Sequence, residues 1–235
     1  MRFDILTIFP EAFSGFFSVG VLGQAADKGL IEVHAHNLRD YSEDPHRVVD
    51  DRPYGGGAGM VMQVGPFVRG LEAIRPHLEG EVRTVLLSPQ GRLFTQDDAI
   101  AFAELDGLIL LCGRYEGVDE RVVDYVDDEM SIGDYVLTGG ELPAAVLIEA
   151  TARMLPGIVG RFESVETDSF FRKDRLGAPQ YTRPPVFRGQ RVPEVLLGGD
   201  HAKIEAFREE RAWAKTARNR PDLLGLRLDR ENHDG

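Results

Sequence analysis

Two hydrophobic periods alternate along the first 160 residues. Residues 2–8 alternate around Phe3, Ile5 and Ile8 and predict a first strand. Pro10 opens a helical stretch whose Phe13, Phe16 and Phe17 are assigned to the core. Residues 21–28 predict a second helix, stopped by Gly29, and residues 31–38 a strand with Val33 between polar neighbours. Residues 40–60 form a long polar loop around Asp50-Asp51-Arg52-Pro53-Tyr54-Gly55-Gly56-Gly57-Ala58-Gly59, too rich in glycine for a helix or strand. Loops of that length are mostly functional or disordered. Residues 66–77 place Phe67, Leu71 and Ile74 on one helical face, and residues 82–87 are an apolar strand ending at Ser88-Pro89-Gln90-Gly91. Thr95 caps the next helix, with Asp97 and Asp98 favoured by its dipole. Residues 107–112 are apolar throughout, as in a strand buried on both faces. Residues 118–125 predict a short helix, and residues 142–155 an apolar one ending at Pro156-Gly157. Strand and helix in alternation predict an α/β fold with a largely parallel sheet.

The pattern changes after Gly160. Residues 161–192 hold few periodic apolar positions and several prolines and charges, and read as a linker. In the C-terminal part, residues 193–235, Asp200 caps a helix over 201–218 carrying Ile204, Phe207, Arg211 and Trp213. A last short helix is predicted over 221–228, and there is no internal repeat.

Residues 131–143, Ser-Ile-Gly-Asp-Tyr-Val-Leu-Thr-Gly-Gly-Glu-Leu-Pro, lead directly into the apolar helix. Gly139 and Gly140 let a ligand approach the main chain, and Pro143 suits a first helical turn, where its missing N–H is not needed. Alone, the segment equally fits an ordinary strand–turn–helix connection. Together with Ser88-Pro89-Gln90-Gly91 and Gly113-Arg114-Tyr115-Glu116-Gly117, it makes three strand ends opening into glycine-containing loops. That is the pattern of a ligand crevice at the carboxyl edge of a parallel sheet.

No apolar run approaches the roughly 18 residues of a membrane span, and Met1-Arg2-Phe3-Asp4 does not read as a signal peptide. Cys112 is the only cysteine, which excludes an internal disulfide or a multi-cysteine metal site and fits a reducing cytoplasm. It follows a Leu-rich run, so a small buried core residue is favoured over a nucleophile. The net charge of −12 argues against nucleic acid until its distribution is read. From Phe170 onward 14 Lys and Arg face 10 Asp and Glu, a balance of +4, whereas residues 1–169 carry −16. The C-terminal third reads either as a solvated helical surface or as a phosphate-binding face. There is no Gly-Lys-Ser/Thr phosphate loop, no Gly-x-Gly-x-x-Gly after the first strand and no His-Glu-x-x-His, so P-loop, Rossmann and zincin chemistries are not favoured.

Seven motifs in order carry a resemblance. They are Asp51 to Gly57, Leu87-Ser88-Pro89-Gln90-Gly91, Cys112 to Gly117 and residues 131–143; then Asp168-Ser169-Phe170, Tyr181-Thr182-Arg183-Pro184 and Val195 to His201. Over nearly its whole length the chain resembles the bacterial tRNA (guanine-N1)-methyltransferase family, TrmD. One departure is visible: the family often has an acidic residue just before its Pro-x-Tyr-Thr-Arg-Pro motif, where this chain reads Leu176-Gly177-Ala178-Pro179. The resemblance implies a SPOUT α/β fold threaded as a deep trefoil knot, with a small, mainly helical C-terminal domain. It implies methyl transfer from S-adenosyl-methionine to N1 of guanine 37 in tRNA, by a homodimer whose active sites lie at the subunit interface. The implied nucleic acid is tRNA rather than DNA, no membrane is involved, and Mg²⁺ is associated with the family.

The residues agree with that chemistry. Backbone groups of Gly113 and of Ile132, Gly133, Asp134, Tyr135, Val136 and Leu137, with Gly139 and Gly140, are suited to reading an adenine edge. Leu87, Pro89, Ile132 and Leu137 are placed to sandwich the base, with Ser88 between the first two. Glu116 and Asp134 are available to ribose hydroxyls or to the donor's cationic tail. Glu116 equally fits a carboxylate capping the next helix, and Arg114 either a functional group or the partner of an acidic neighbour. Lys203, Arg208, Arg211, Lys215 and Arg218 fall on or near one helix and form a stripe if Glu209 and Glu210 face elsewhere. The resemblance implies Asp168 as general base and Arg153 as a cation for O6; by themselves they read as a capping residue and a dipole-stabilising arginine. Two other readings fit the crevice: a knotted methyltransferase acting on another RNA or on a ribose hydroxyl, and a non-catalytic RNA-binding or donor-sensing protein.

Overall fold

The structure is a computed structural model and describes residues 1–160, 163–172 and 174–225. It divides into two compact units, Met1–Gly160 and Arg161–Gly235. The division falls where the hydrophobic pattern lapses.

The first unit runs β1 (Arg2–Thr7), α1 (Gly20–Asp27), β2 (Glu32–Asn37), β3 (Asp50–Asp51), β4 (Val61–Met62), α2 (Val64–Ile74), β5 (Val82–Leu93), α3 (Gln96–Phe102), β6 (Gly107–Cys112), β7 (Asp128–Ser131) and α4 (Glu141–Ala152). Five strands form one parallel sheet in the order β2-β1-β6-β5-β7, and β3 and β4 make a separate short antiparallel pair. The apolar run of β6 occupies the centre, and all six of its residues are buried. Its alternate side chains feed two cores. Leu108, Leu110 and Cys112 pack with Phe3, Ile5, Val85 and Leu87 beneath α1, α3 and α4. Ile109 and Leu111 pack with Leu6, Leu86 and the Phe67, Leu71 and Ile74 face of α2. Helices therefore cover both faces, as an all-parallel sheet requires.

The aromatic stretch after Pro10 is two 3-10 turns, Pro10–Phe13 and Phe16–Ser18, not one helix. Gly15 separates them; Phe13 and Phe17 enter the core, while Phe16 is 48% exposed. Residues 120–125 likewise form a 3-10 turn rather than an α-helix. β7 is an element the sequence pattern did not announce. It is four residues long, pairs with β5 at the edge of the sheet, and begins with two carboxylates. Asp128 is accommodated there by Arg83 and Arg92, at 3.1 and 3.0 Å.

β5 continues beyond its expected end at Leu87. Leu87 and Arg92 both oppose Met130 of β7, so Ser88-Pro89-Gln90-Gly91 is extruded from the ladder. A Cβ on Gly91 would lie 2.4 Å from the amide nitrogen of Met130, so the loop closes against β7 only with glycine there. At its foot Arg92 bridges Asp98 and Asp128, at 2.6 and 3.0 Å. Burial pushes the Asp98 carboxyl up, but hydrogen bonds from Arg92 and Thr95 outweigh it and hold it below the usual carboxylate range. The Thr95–Asp98 pair is also the capping box of α3.

In the second unit come α5 (Glu163–Glu166), a hairpin of β8 (Val186–Phe187) and β9 (Gln190–Arg191), and α6 (His201–Asn219). Part of the stretch expected as a linker is docked on α6: the Leu176 amide donates to Thr216 Oγ1 at 2.9 Å, and Arg175 pairs with Glu209 and lies over the Trp213 ring. The predicted last helix is a 3-10 turn, Pro221–Leu224; residues 226–228 of that expectation, with the rest of the C-terminus, lie outside the described residues.

Candidate active site

A crevice of about 1030 Å³ opens in the first unit at the carboxyl ends of β5, β6 and β7. Parallel strands end there together, so the loops leaving them converge. Leu87, Ser88 and Pro89 line it from the extruded loop, and Gly113 and Glu116 from the loop after β6. Ile132, Gly133, Tyr135, Val136, Leu137, Gly139 and Gly140 line it from the segment before α4. Asp134 belongs to that segment and is exposed.

Backbone contacts hold the loops in place. Gly140 donates to the Gly113 carbonyl at 2.9 Å, and Arg114 and Gly139 form an antiparallel bridge. On the other side the Glu116 amide donates to Met60 and the Met62 amide to Gly117, each at 3.0 Å. The glycine-rich loop 51–60 is thereby brought beside the crevice, where Asp51, Arg52, Pro53 and Tyr54 join the lining. The Tyr54 side chain stands fully in solvent.

Geometry bears on both open readings in the loop after β6. The cap of the 3-10 turn at residues 120–125 is Asp119, which accepts from the Arg121 amide at 3.0 Å, so Glu116 is not that cap. Its side chain instead lies across Gly59, where a Cβ would come within 2.4 Å of it. Arg114 pairs with Glu141: Nη2 lies 3.1 Å and Nε 3.2 Å from Oε2. Glu141 is 6% exposed, begins α4, and accepts from Thr7 Oγ1 at the end of β1 at 2.7 Å. The Arg114 guanidinium also stacks 4.5 Å over the Phe9 ring. Glu141 was not anticipated, because an acidic residue in a first helical turn looks like ordinary dipole complementation. Cys112 is fully buried beneath this cluster; burial pushes its thiol well up, and Glu141 adds to the shift. It behaves as core, not as a nucleophile.

The candidate catalytic pair lies in different units. Arg153 is the half-buried C-cap residue of α4 in the first. Asp168 follows α5 in the second, exposed, with its amide donating to Val165 at 3.0 Å. It lines a polar cavity of about 230 Å³ with Arg172, Arg175, Glu205, Arg208 and Glu209. On α6, Arg208, Arg211, Lys215 and Arg218 follow an i, i+3, i+7, i+10 spacing and share one face. Glu209 accepts from Trp213 Nε1 at 3.1 Å and from Arg175. Among the described residues no group of three or more His, Cys, Asp or Glu is placed to hold a metal ion. Nor is any described helix long and apolar enough to cross a membrane.

A parallel sheet with helices on both faces and a glycine-lined crevice at its carboxyl edge defines an α/β protein. Comparison with known proteins narrows the class. Residues 1–226 match the model of the tRNA (Guanine-1)-methyltransferase TrmD family, and the chain belongs to that family. It is 51% identical over 225 residues to a tRNA (guanine-N(1)-)-methyltransferase of Geobacter sulfurreducens, covering 95% of this chain and 91% of the relative. It is 50% identical over 224 residues to the protein of that name in Dictyoglomus turgidum, with 95% and 90% covered. With that of Thermomicrobium roseum it shares 50% over 225 residues, with 95% and 83% covered.

Proposed function

We propose that this protein transfers a methyl group from S-adenosyl-methionine to N1 of the guanine at position 37 of tRNA. The observation that carries the reading is the crevice of three main-chain loops, in a chain of this family. Its size is at the upper end for small-molecule sites. The crevice offers apolar walls at Leu87, Pro89, Ile132 and Leu137 for a base, and Glu116 for a cationic tail. Those residues fit the donor. Mg²⁺ has no comparable support among the described residues, and no step is assigned to it.

Bound S-adenosyl-methionine supplies an electrophilic methyl group, its sulfur keeping the bonding pair and leaving as neutral S-adenosyl-homocysteine. Guanine N1 carries a proton and delocalises its lone pair toward the ring carbonyl, so it is a poor nucleophile. Asp168 takes that proton as general base. Arg153 meets the negative charge that develops on O6. The basic face of α6 holds tRNA by its phosphates, and an anticodon-loop base is cheaply splayed out for reaction.

The chain acts as a homodimer. Helix α4 is apolar on nearly every side, and Leu142 and Val146 are 62% and 43% exposed on it. A trefoil knot of the SPOUT type is part of the same reading. It rests on the chain's membership of the family. The site of action is the cytoplasm. Incubation with radiolabelled donor and bulk tRNA tests the function: label is expected at N1 of guanine 37. Label on another RNA or on a ribose hydroxyl, or donor binding without transfer, would replace this reading with one of its competitors.

A further inference from the structure

Arg114 places a permanent positive charge in the crevice, although the donor proposed for it is itself cationic at sulfur and at its amino group. One cation lining a site for another costs affinity unless it is neutralised. Two further arginines line the crevice, and Arg121 already has a partner in Asp119 at 2.6 Å. Arg114 has Glu141. That carboxylate is 6% exposed and does not itself line the crevice; it pairs with the guanidinium, Nη2 lying 3.1 Å from Oε2 and Nε donating to Oε2 at 3.2 Å. Its own place is fixed by Thr7 Oγ1 at 2.7 Å, by the start of α4, and by the bridge between Arg114 and Gly139. The two residues are 27 apart in sequence, Arg114 following β6 and Glu141 beginning α4.

We propose that Glu141 is a positioning residue that sets the charge discrimination of the donor site. By pairing with Arg114 it neutralises a repulsive charge at the end of the central strand. The sulfonium charge is what separates donor from product, since S-adenosyl-homocysteine has the same adenosine and amino-acid parts but a neutral sulfur. Glu141 therefore favours binding of the charged donor over retention of the neutral product. A contact that only braced the loops would affect the two ligands alike.

The inference rests on the donor being bound in this crevice, and calorimetry with both ligands separates the two ideas. If the wild-type protein binds neither S-adenosyl-methionine nor S-adenosyl-homocysteine, the functional reading fails. If it binds both, Glu141→Gln is expected to weaken the methionine form more than the homocysteine form. The affinity ratio should move by about three- to tenfold, the size of one unit charge acting over roughly 8 Å through a half-hydrated protein surface. The shift should shrink as salt is raised. Arg114→Gln removes the cation instead and should move the ratio the opposite way, and the double variant should return it toward wild type. Equal changes for both ligands in the two single variants would overturn the proposal. Should Glu141→Gln fail to fold, the sign of the Arg114→Gln shift decides: a ratio unchanged, or moved against the donor, overturns it.

Discussion

Gly140 donates its amide hydrogen to the carbonyl of Gly113 at 2.9 Å, joining the segment that leaves the edge strand β7 to the loop that leaves the central strand β6. The bond exists because no side chain intervenes. A Cβ on Gly140 would lie 2.7 Å from Cys112 Cα and 3.1 Å from the Gly113 nitrogen, and backbone atoms of a buried strand do not give way. Gly140→Ala is expected to cost about 1–3 kcal/mol by forcing those segments apart. It should also weaken donor binding, because both displaced loops line the crevice. Gly15→Ala is the control: nothing lies within 4 Å of its Cβ position, and its effect should stay within about 0.5 kcal/mol. Urea unfolding and donor calorimetry on the two variants check this.

Asp4 is fully buried within β1 and accepts from His36 at 2.7 Å and from Arg2 at 2.8 Å. Burial pushes its carboxyl up; the hydrogen bonds from His36 and Arg2 outweigh that and hold it below the usual range. A carboxyl with a depressed folded-state pKa stabilises the protein fully above its unfolded value of about 3.9, and that share is lost as pH falls through the folded value. At pH 7 Asp4→Asn is expected to cost about 3 kcal/mol, because it leaves Arg2 and His36 without the carboxylate they share. The gap between wild type and variant should hold down to about pH 5 and close below about pH 4. A gap that stayed constant with pH would show that the ion pair is not its source.

The parts of this chain legible in its sequence were those governed by local periodicity. The β6 run from Gly107 to Cys112 has the pattern of a strand buried on both faces, and Thr95 marks a helix cap. The three glycine-containing loops marked the crevice because close approach of main chain leaves a compositional trace. β7 left none: an edge strand four residues long opening with Asp128 and Glu129 has too few buried positions to show a period. Glu141 and Thr7 were equally silent, lying 134 residues apart and meeting only because β1 and β6 are neighbours in the sheet. The roles of Asp168 and Arg153 came from resemblance alone, since each has a sufficient local explanation.

Exposed apolar residues on a helix that is otherwise core call for a partner surface. Leu142 and Val146 lie four residues apart on one face of α4, and Val136 just before it is 81% exposed. Leu142→Asp with Val146→Asp should dissociate the proposed homodimer. Sedimentation should then show a monomer with unchanged circular dichroism. A double variant that remained dimeric would place the subunit contact elsewhere.

The basic face of α6 predicts a salt-dependent effect confined to RNA. Replacing Arg208, Arg211 and Arg218 by Gln is expected to weaken tRNA binding and to reduce the dependence of log K on log salt by about 0.7 to 0.9 for each phosphate that is no longer neutralised. Donor affinity should not change. An unaltered salt slope would mean that this face does not meet the phosphates.

The chemistry makes the sharpest demand. N1 of guanine must lose its proton as the methyl group arrives, and a carboxylate is the group suited to accept it at neutral pH. Asp168 lies exposed beyond α5 and lines a polar cavity with Arg172, Arg175, Glu205, Arg208 and Glu209. Asp168→Asn keeps the shape and cannot take the proton. Its single-turnover rate should fall by about a hundredfold or more, the scale of lost general-base catalysis. Donor and tRNA affinities should stay near wild type. Arg153→Ala should also slow the chemical step, by about tenfold or more, because the charge developing on O6 loses its cation. The two variants differ in their response to pH. If deprotonation by Asp168 is rate-limiting, raising the pH should partly restore Asp168→Asn, since solvent hydroxide takes over the proton as N1 approaches its own ionisation. Arg153→Ala should gain no such relief. Near-normal single-turnover methyl transfer by Asp168→Asn at neutral pH would remove Asp168 from the mechanism.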